Sequence, residues 1–86
     1  MSGTRVGEII HLYDRLSVAV LKLTEPIRVG DMLHLLGHNT DFRQKLESIQ
    51  IEHKEVTEAG PGPDVAVKVA QKVHPGDAVF KVSGEE

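Results

Sequence analysis

Five histidines and two serines are the side chains of this sequence that could take part in catalysis or metal binding. The histidines are His11, His34, His38, His53 and His74. A zinc site needs three or four ligands that converge at about 2 Å from the metal. His34 and His38 are four residues apart, but Gly37 between them predicts a turn, so they do not share a helical face. The histidines are therefore predicted to be scattered surface side chains, and no metal site is expected.

The sequence also lacks the local signatures of nucleophilic catalysis and of nucleotide binding. Ser17 and Ser48 supply hydroxyls, but neither stands in a Gly-x-Ser-x-Gly turn that would expose a nucleophile. No Gly-x-x-x-x-Gly-Lys-Ser/Thr loop is present, and the prolines of the Gly60–Pro63 run remove N–H donors that a phosphate loop needs. We therefore expect no enzymatic activity, no bound nucleotide and no cofactor.

Length and composition limit the scaffold that positions these side chains. The chain has 86 residues, of which 40% are apolar and 27% charged, as in a single globular domain. It has no cysteine, and no apolar run approaches the roughly 20 residues that cross a bilayer. We expect one cytoplasmic domain over residues 1–86, with an ordered core at about 5–82, flexible ends and no membrane contact.

Turn signals divide the chain into six short apolar segments, which is typical of a small β-barrel or sandwich. The segments are Val6–Leu12, Leu16–Leu23, Met32–Leu36, Phe42–Ile51, Val65–Val69 and Ala78–Val82. Val65, Val67 and Val69 alternate with smaller or charged residues, which is the pattern of a half-buried strand. The aromatic residues Phe42 and Phe80 are predicted to lie in the core.

The segment Asp41–Val56 fits two predictions. Its apolar residues have helical spacing, and Asp41 with Gln44 resembles a capping box, so the pattern alone favours a helix. The alternative is one long strand with a β-bulge near Glu47, because an extra residue moves all later side chains to the opposite face.

Two turns repeat the same Gly-Asp pattern. A Pro-Gly pair fits the central positions of a type II turn, and the aspartate after each glycine can hold the turn through its carboxylate and a nearby backbone N–H. We therefore predict that these aspartates are structural rather than catalytic. The predicted turn residues are Gly30, Asp31, Gly60, Gly62, Pro75, Gly76 and Asp77.

Five short motifs occur in the order found in the second domain of translational GTPases such as elongation factor Tu. They are Ile27–Asp31, Leu46–His53, Ala59–Gly62, Val65–Val67 and Pro75–Asp77. The chain therefore resembles that domain from about Val6 to Val82. The resemblance implies an all-β fold, a single closed six-stranded antiparallel barrel of the translation-protein type. It also implies that Ser48 to Gln50 lie in a strand, and so it overrules the helix in Asp41–Val56.

A second resemblance lies in the first third of the chain. Val6–Val20 is similar to the C-terminal barrel of collagenase-like peptidases, which accompanies a separate catalytic domain. The chain departs from the elongation factors at Ser2–Arg5, where their Gly-Thr-Val opening strand helps hold aminoacyl-tRNA. That activity is not carried over, and both resemblances imply an accessory module.

Two functional hypotheses follow. The first, implied by the resemblance to elongation factors, is a non-enzymatic module that binds structured RNA or the ribosome through Arg28, Arg43, Lys45 and Lys68. The alternative is a protein-docking subunit of a peptidase-like or RNA-modifying enzyme, and the net charge of −3 favours this protein partner. A gathered basic patch would support the first hypothesis, and an exposed apolar patch the second.

Overall fold

The computed structural model describes residues 3–82, which form an all-β domain of antiparallel strands. The strands are β1 (Gly3–Tyr13), β2 (Val18–Leu23), β3 (Ile27–Arg28), β4 (Met32–Gly37), β5 (Thr40–Lys45), β6 (Ile49–Ile51), β7 (Lys54–Val56), β8 (Glu58–Ala59), β9 (Val65–Lys68) and β10 (Ala78–Val82). Gly3 and Thr4 belong to β1 rather than to a flexible end. The rest of the predicted flexible ends, at residues 1–2 and 83–86, lies outside the described residues.

Eight of these strands form one sheet, in the order β5-β4-β10-β1-β2-β9-β6-β7. The short strands β3 and β8 pair with each other in a second sheet. The predicted all-β antiparallel fold is confirmed. However, no backbone ladder within residues 3–82 joins the two ends of the large sheet, so the ladders do not form the predicted closed six-stranded barrel.

Residues 3–82 contain no helix with the length and hydrophobicity to span a membrane.

Successive side chains of a strand point to opposite faces of the sheet. The apolar side chains on one face pack together, and that face is therefore buried. Burial of each large aliphatic side chain contributes about 1.5–3 kcal/mol to the driving force for folding. The predicted inward residues Val65, Val67 and Val69 are all buried. The largest fully buried side chains are Ile9, Leu21, Ile27, Leu33, Leu35, Leu46, Ile49, Val6, Val65, Val73 and Val79.

The two phenylalanines lie on different faces. Phe42 is buried as predicted, whereas the prediction that Phe80 is core is wrong. Val79 is the inward residue of β10 and is completely buried, because β10 pairs with β4 in a register that aligns Val79 with Leu35. Phe80 is therefore half-buried on the outer face, where its ring lies 6.4 Å from that of His34.

The segment 41–56 contains strands, as the resemblance implied, and not the helix that its pattern favoured. Gln50 lies in β6, whereas Ser48 precedes that strand, and β6 and β7 form a hairpin that was not predicted. The chain leaves β5 after Lys45 and enters β6 at Ile49 in another part of the sheet. Between them, the N–H of Leu46 donates to Asp31 O and its carbonyl accepts from Gly30 N, each at 2.8 Å. Leu46 and Ile49 are consequently both fully buried, and this spacing of three residues imitated a helical pattern.

The side chain of Gln44 connects the edge strand β5 to the segment that follows β9. Its Nε2 donates to the carbonyl of Lys68, and its Oε1 accepts from the N–H of Ala70, both at 2.7 Å. A neighbouring strand would supply the same donor and acceptor through its backbone. The Gln44 amide thus satisfies backbone groups that no ladder reaches at this point.

The two Gly-Asp turns have the same geometry. In the first, the N–H of Asp31 donates to Arg28 O at 3.0 Å, and the Asp31 carboxylate accepts from Arg28 N at 2.9 Å. Asp77 makes the equivalent bonds with His74, at 3.0 and 2.8 Å. The glycines before the aspartates have φ of 103° and 97°, a conformation that strains residues with a Cβ.

The environments of the two aspartates differ. Asp77 is only 5% exposed and also accepts a hydrogen bond from the Thr40 hydroxyl, whereas Asp31 is partly open to solvent. Removal of Asp77 therefore leaves buried donors without their acceptor, and this costs more than the loss of the same bonds in contact with water.

We predict that Asp77→Ala lowers the free energy of unfolding by about 3 kcal/mol and that Asp31→Ala lowers it by about 1 kcal/mol. Urea unfolding followed by circular dichroism measures both values, and the slope with denaturant should remain unchanged. Equal losses for the two variants would show that burial of the Asp77 cluster adds nothing.

Candidate functional site

Three polar side chains meet at the buried end of β5. Thr40 Oγ1 lies 2.5 Å from Asp77 Oδ2 and 3.3 Å from His74 Nδ1. Thr40 is 3% exposed, so its hydroxyl is inaccessible to a substrate. The cluster satisfies polar groups at a turn and does not present a nucleophile.

The other candidates for chemistry are dispersed. Within residues 3–82, no group of three or more metal-ligating side chains is close enough to hold an ion. His34 Nε2 lies 2.6 Å from Asp41 Oδ1, and the ring of His11 packs edge-on against Tyr13 at 4.5 Å. Both histidines lie on the outside of the sheet, and each one contacts a neighbouring side chain.

The four basic residues proposed for RNA binding do not form one patch. Arg28 lies on the small sheet and pairs with Glu58 at 3.6 Å. Arg43 and Lys45 project from β5, and Lys68 projects from β9. Only Lys45 and Lys68 line a common hollow, of about 260 Å³, and Glu47 lies in the same wall. The structure thus separates Arg28 from the other three residues, of which Arg43 and Lys45 lie two positions apart on the same face of β5.

The structure instead exposes two groups of apolar side chains on the outside of the sheet. The first group, which we call the hairpin patch, consists of Ile10, Tyr13, Leu16, Val18 and Val20. Tyr13 and Val18 are opposite each other on β1 and β2, and Leu16 lies in the turn between the two strands. Leu16 is 63% exposed and Tyr13 is 50% exposed.

Local backbone geometry produces the hairpin patch. The β1–β2 register shifts between Ile9 and His11, so Ile10 is an extra residue and the side chains after it change face. Leu12 consequently packs against the core and Tyr13 is exposed. The turn is closed by bonds from Leu16 N to Tyr13 O and from Ser17 N to Asp14 O, with Ser17 at a φ of 54°. Without the extra residue, Tyr13 would share the inward face of Ile9; the bulge turns Tyr13 outward, and the turn exposes Leu16.

The second group lies on the adjoining strands and forms the β4–β10 face. Its outward residues make three rows across β5, β4, β10 and β1. The β5–β4 and β4–β10 ladders keep a continuous register, and the β1–β10 ladder shifts by one residue between Arg5 and Gly7, so that both Arg5 and Glu8 face outward. The rows are Lys45, Met32, Val82 and Gly3; Arg43, His34, Phe80 and Arg5; and Asp41, Leu36, Ala78 and Glu8. The two central columns are mainly apolar, and the two outer columns carry the charges.

Neither group was identified from the sequence. The hairpin patch depends on a bulge at Ile10, and the β4–β10 face depends on strands that are distant in the chain. A signal was nevertheless present, because Met32 and Leu36 alternate with Leu33 and Leu35, so that both faces of β4 are apolar. A strand with two apolar faces predicts either a covered sheet or a docking surface.

Several known proteins are similar to this chain. No protein-family model matches it. An uncharacterized protease of Methanocaldococcus jannaschii is 33% identical over 76 residues, which are 87% of this chain and 19% of the protease. A collagenase of Porphyromonas gingivalis is 31% identical over 85 residues, 96% of this chain and 24% of the collagenase. The chain thus spans between a fifth and a quarter of the length of these curated relatives.

Two solved structures have the same fold. Both are the C-terminal domain of a Geobacillus thermoleovorans protein assigned to the U32 peptidases. One has a TM-score of 0.86 at 23% identity, and the match covers 93% of each chain. The selenomethionine variant has a TM-score of 0.84 at 24% identity and covers 90% of this chain and 98% of that one.

These comparisons correct the first functional hypothesis. The relatives are a protease and collagenases, and the similar folds come from a U32 peptidase, so the interpretation as an elongation factor module that binds RNA or the ribosome is wrong. The order of five turn and strand motifs supported that interpretation, but these motifs mark turns and strands and do not identify a binding partner. The resemblance to the collagenase-like peptidase barrel is the one that the comparisons support: the chain is similar in sequence to part of these proteases and has the fold of a U32 peptidase C-terminal domain.

Proposed function

We propose that this chain is a non-catalytic docking domain that packs against a peptidase-type protein. The observation that carries the proposal is the similarity over nearly the whole chain to only a fifth or a quarter of proteins named protease and collagenase. In those relatives the matched region is joined to a much longer remainder. A domain of this kind needs a surface for a protein partner, and the outside of the sheet supplies exposed apolar side chains.

The hairpin patch is the surface that we assign to this partner. Protein interfaces are enriched in tyrosine and in apolar side chains at their centre, with polar groups around them. Leu16 and Tyr13 are the most exposed large apolar side chains among the described residues. Asp14 and Lys72 lie 4.0 Å apart beside the turn and supply a polar rim. Hydrogen bonds close the turn before a partner binds, so binding costs little backbone entropy in this hairpin.

We predict that the tagged chain captures a peptidase-type protein from a lysate of the organism that encodes it. Capture should fall at least about tenfold for Tyr13→Ala/Leu16→Ala, because truncation of two central anchors costs more than 1.4 kcal/mol. The exposed apolar residue Val29 lies outside the hairpin patch, in the turn between β3 and β4, and Val29→Ser is the control that should capture as the wild type does.

Quantitative mass spectrometry of the captured proteins separates the outcomes. If wild type enriches proteins but no peptidase-type chain is among them, the proposed function is wrong. If the double variant captures the peptidase-type protein as well as wild type does, the partner binds a different surface. Thermal unfolding of both variants checks that the fold is intact.

We also propose that six strands of the large sheet, from β5 to β9 through β4, β10, β1 and β2, enclose the core as a barrel. The hydrogen bonds of Gln44 to Lys68 O and Ala70 N support this arrangement, since they link the first and last of these strands. A barrel closed in this way needs the side-chain amide where it lacks a ladder.

Gln44→Ala should lower the free energy of unfolding by about 2 kcal/mol, since two hydrogen bonds are lost. The exchange of the Ala70 amide hydrogen should accelerate at least about tenfold relative to that of Val79 in the sheet centre. Unchanged exchange at Ala70 would contradict closure through Gln44. Gln44→Glu is the matched variant, because it retains the acceptor for Ala70 and loses only the donor to Lys68.

A further inference from the structure

The β4–β10 face has an apolar centre that no described part of the chain covers. Met32 and Leu36 on β4 are 41% and 40% exposed. Phe80 and Val82 on β10 are half-buried beside them, and Ala78 completes the strip. The face lies on different strands from those of the hairpin patch, apart from the shared strand β1, so the two surfaces can be occupied at the same time.

The charges on this face vary along the strands and not across them. Arg43 and Arg5 lie at the two sides of the row that contains His34 and Phe80. One step along the strands, Asp41 and Glu8 lie at the two sides of the next row. Both margins of the face therefore change from basic to acidic in the same direction.

Such a pattern is complementary to itself. A two-fold axis that lies in the plane of the face, across the strands and between these two rows, places each row over the other row of a second copy. Arg43 then faces Asp41 of the partner copy, and Arg5 faces Glu8 of that copy. In the centre, the large ring of Phe80 lies over the small side chain of Ala78.

We infer that the β4–β10 face is a homodimer interface formed by two copies of this chain. The inference goes beyond the proposed function and uses a different surface. The occupant is a second copy because an isologous contact requires the same face to satisfy both signs of charge, and this face does so at both margins. A polyanion would meet Asp41 and Glu8, and an unrelated apolar surface would offer none of the four charges a partner across the interface.

The intrachain contacts of these charges are compatible with the dimer. Arg5 lies 3.6 Å from Glu8, and Asp41 lies 2.6 Å from His34. The side chains of Arg5, Glu8 and Asp41 are 54%, 48% and 74% exposed, so solvent screens these pairs and a second copy can share them. The ion pairs set the register of the two copies, and the apolar strip supplies most of the buried area.

The test is sedimentation equilibrium of the whole chain over a range of concentrations, with two charge variants. Arg5→Glu/Arg43→Glu makes the margins acidic, and Glu8→Lys/Asp41→Lys makes them basic. Each variant alone should dissociate with a constant at least about tenfold above the wild-type value, because like charges then oppose each other. An equimolar mixture of the two variants should regain the wild-type dissociation constant within about threefold, since every opposed pair is again of opposite sign.

Arg15→Glu/Lys54→Glu makes the same change in net charge as the acidic variant, but in the β1–β2 turn and on β7, and should dimerise as the wild type does. Recovery in the mixture also demonstrates that both variants are folded. The inference is overturned if the wild type is monomeric up to about 1 mM. It is likewise overturned if either variant alone dimerises normally, or if the mixture does not recover. Tyr13→Ala/Leu16→Ala should remain dimeric, so loss of peptidase capture and loss of dimerisation can be distinguished.

Discussion

The buried carboxylate of Asp77 is the point on which the arrangement of the sheet depends. Its side chain accepts from Thr40 at the start of β5 and from the backbone of His74. Its carbonyl accepts from Ile9 N at 2.8 Å, and the preceding N–H of Gly76 donates to Ile9 O at 2.7 Å. One residue thus connects β5, β1 and the start of β10. A carboxylate in this position is stabilising only while all these donors are present, because an unpaired buried charge is costly.

That connection fixes the register of β10 between its two neighbours, and the register determines the outer face. Side chains alternate with a period of two, so a slip of one residue would turn Phe80 inward and Val79 outward. The same slip would move Arg5 and Glu8 on β1 out of line with Arg43 and Asp41 on β5, because β10 and β4 lie between these two strands. The core and the charge pattern on the outside are therefore consequences of one hydrogen-bonded turn. The equivalent turn at Asp31 is partly exposed and positions Leu46, which bonds to the backbone of Gly30 and Asp31.

The sequence predicted those features that short-range chemistry controls. The Pro-Gly-Asp turn, the inward valines of β9 and the all-β class each follow from a few adjacent residues. It did not predict features that depend on strand pairing between distant residues. Phe80 has the same local pattern as a core residue, and only the pairing with His34 places it outside. Leu46 and Ile49 imitate a helix because the chain changes strands between them. Tyr13 is exposed because of a bulge at Ile10 that no local motif signals.

The two family resemblances show why a shared sequence pattern does not establish a shared function. The motifs shared with elongation factors are glycines that accept positive φ, aspartates that hold turns and alternating valines, all of which a small curled sheet requires whatever it binds. Residues that decide binding lie on the outer face, where the fold tolerates many side chains. On this chain those positions carry Tyr13 and Leu16 in a hairpin and an apolar strip with charges of both signs at its margins. Arg5 and Arg28 each lie 3.6 Å from a glutamate, and these acidic side chains offset the attraction of the two arginines for a phosphate backbone.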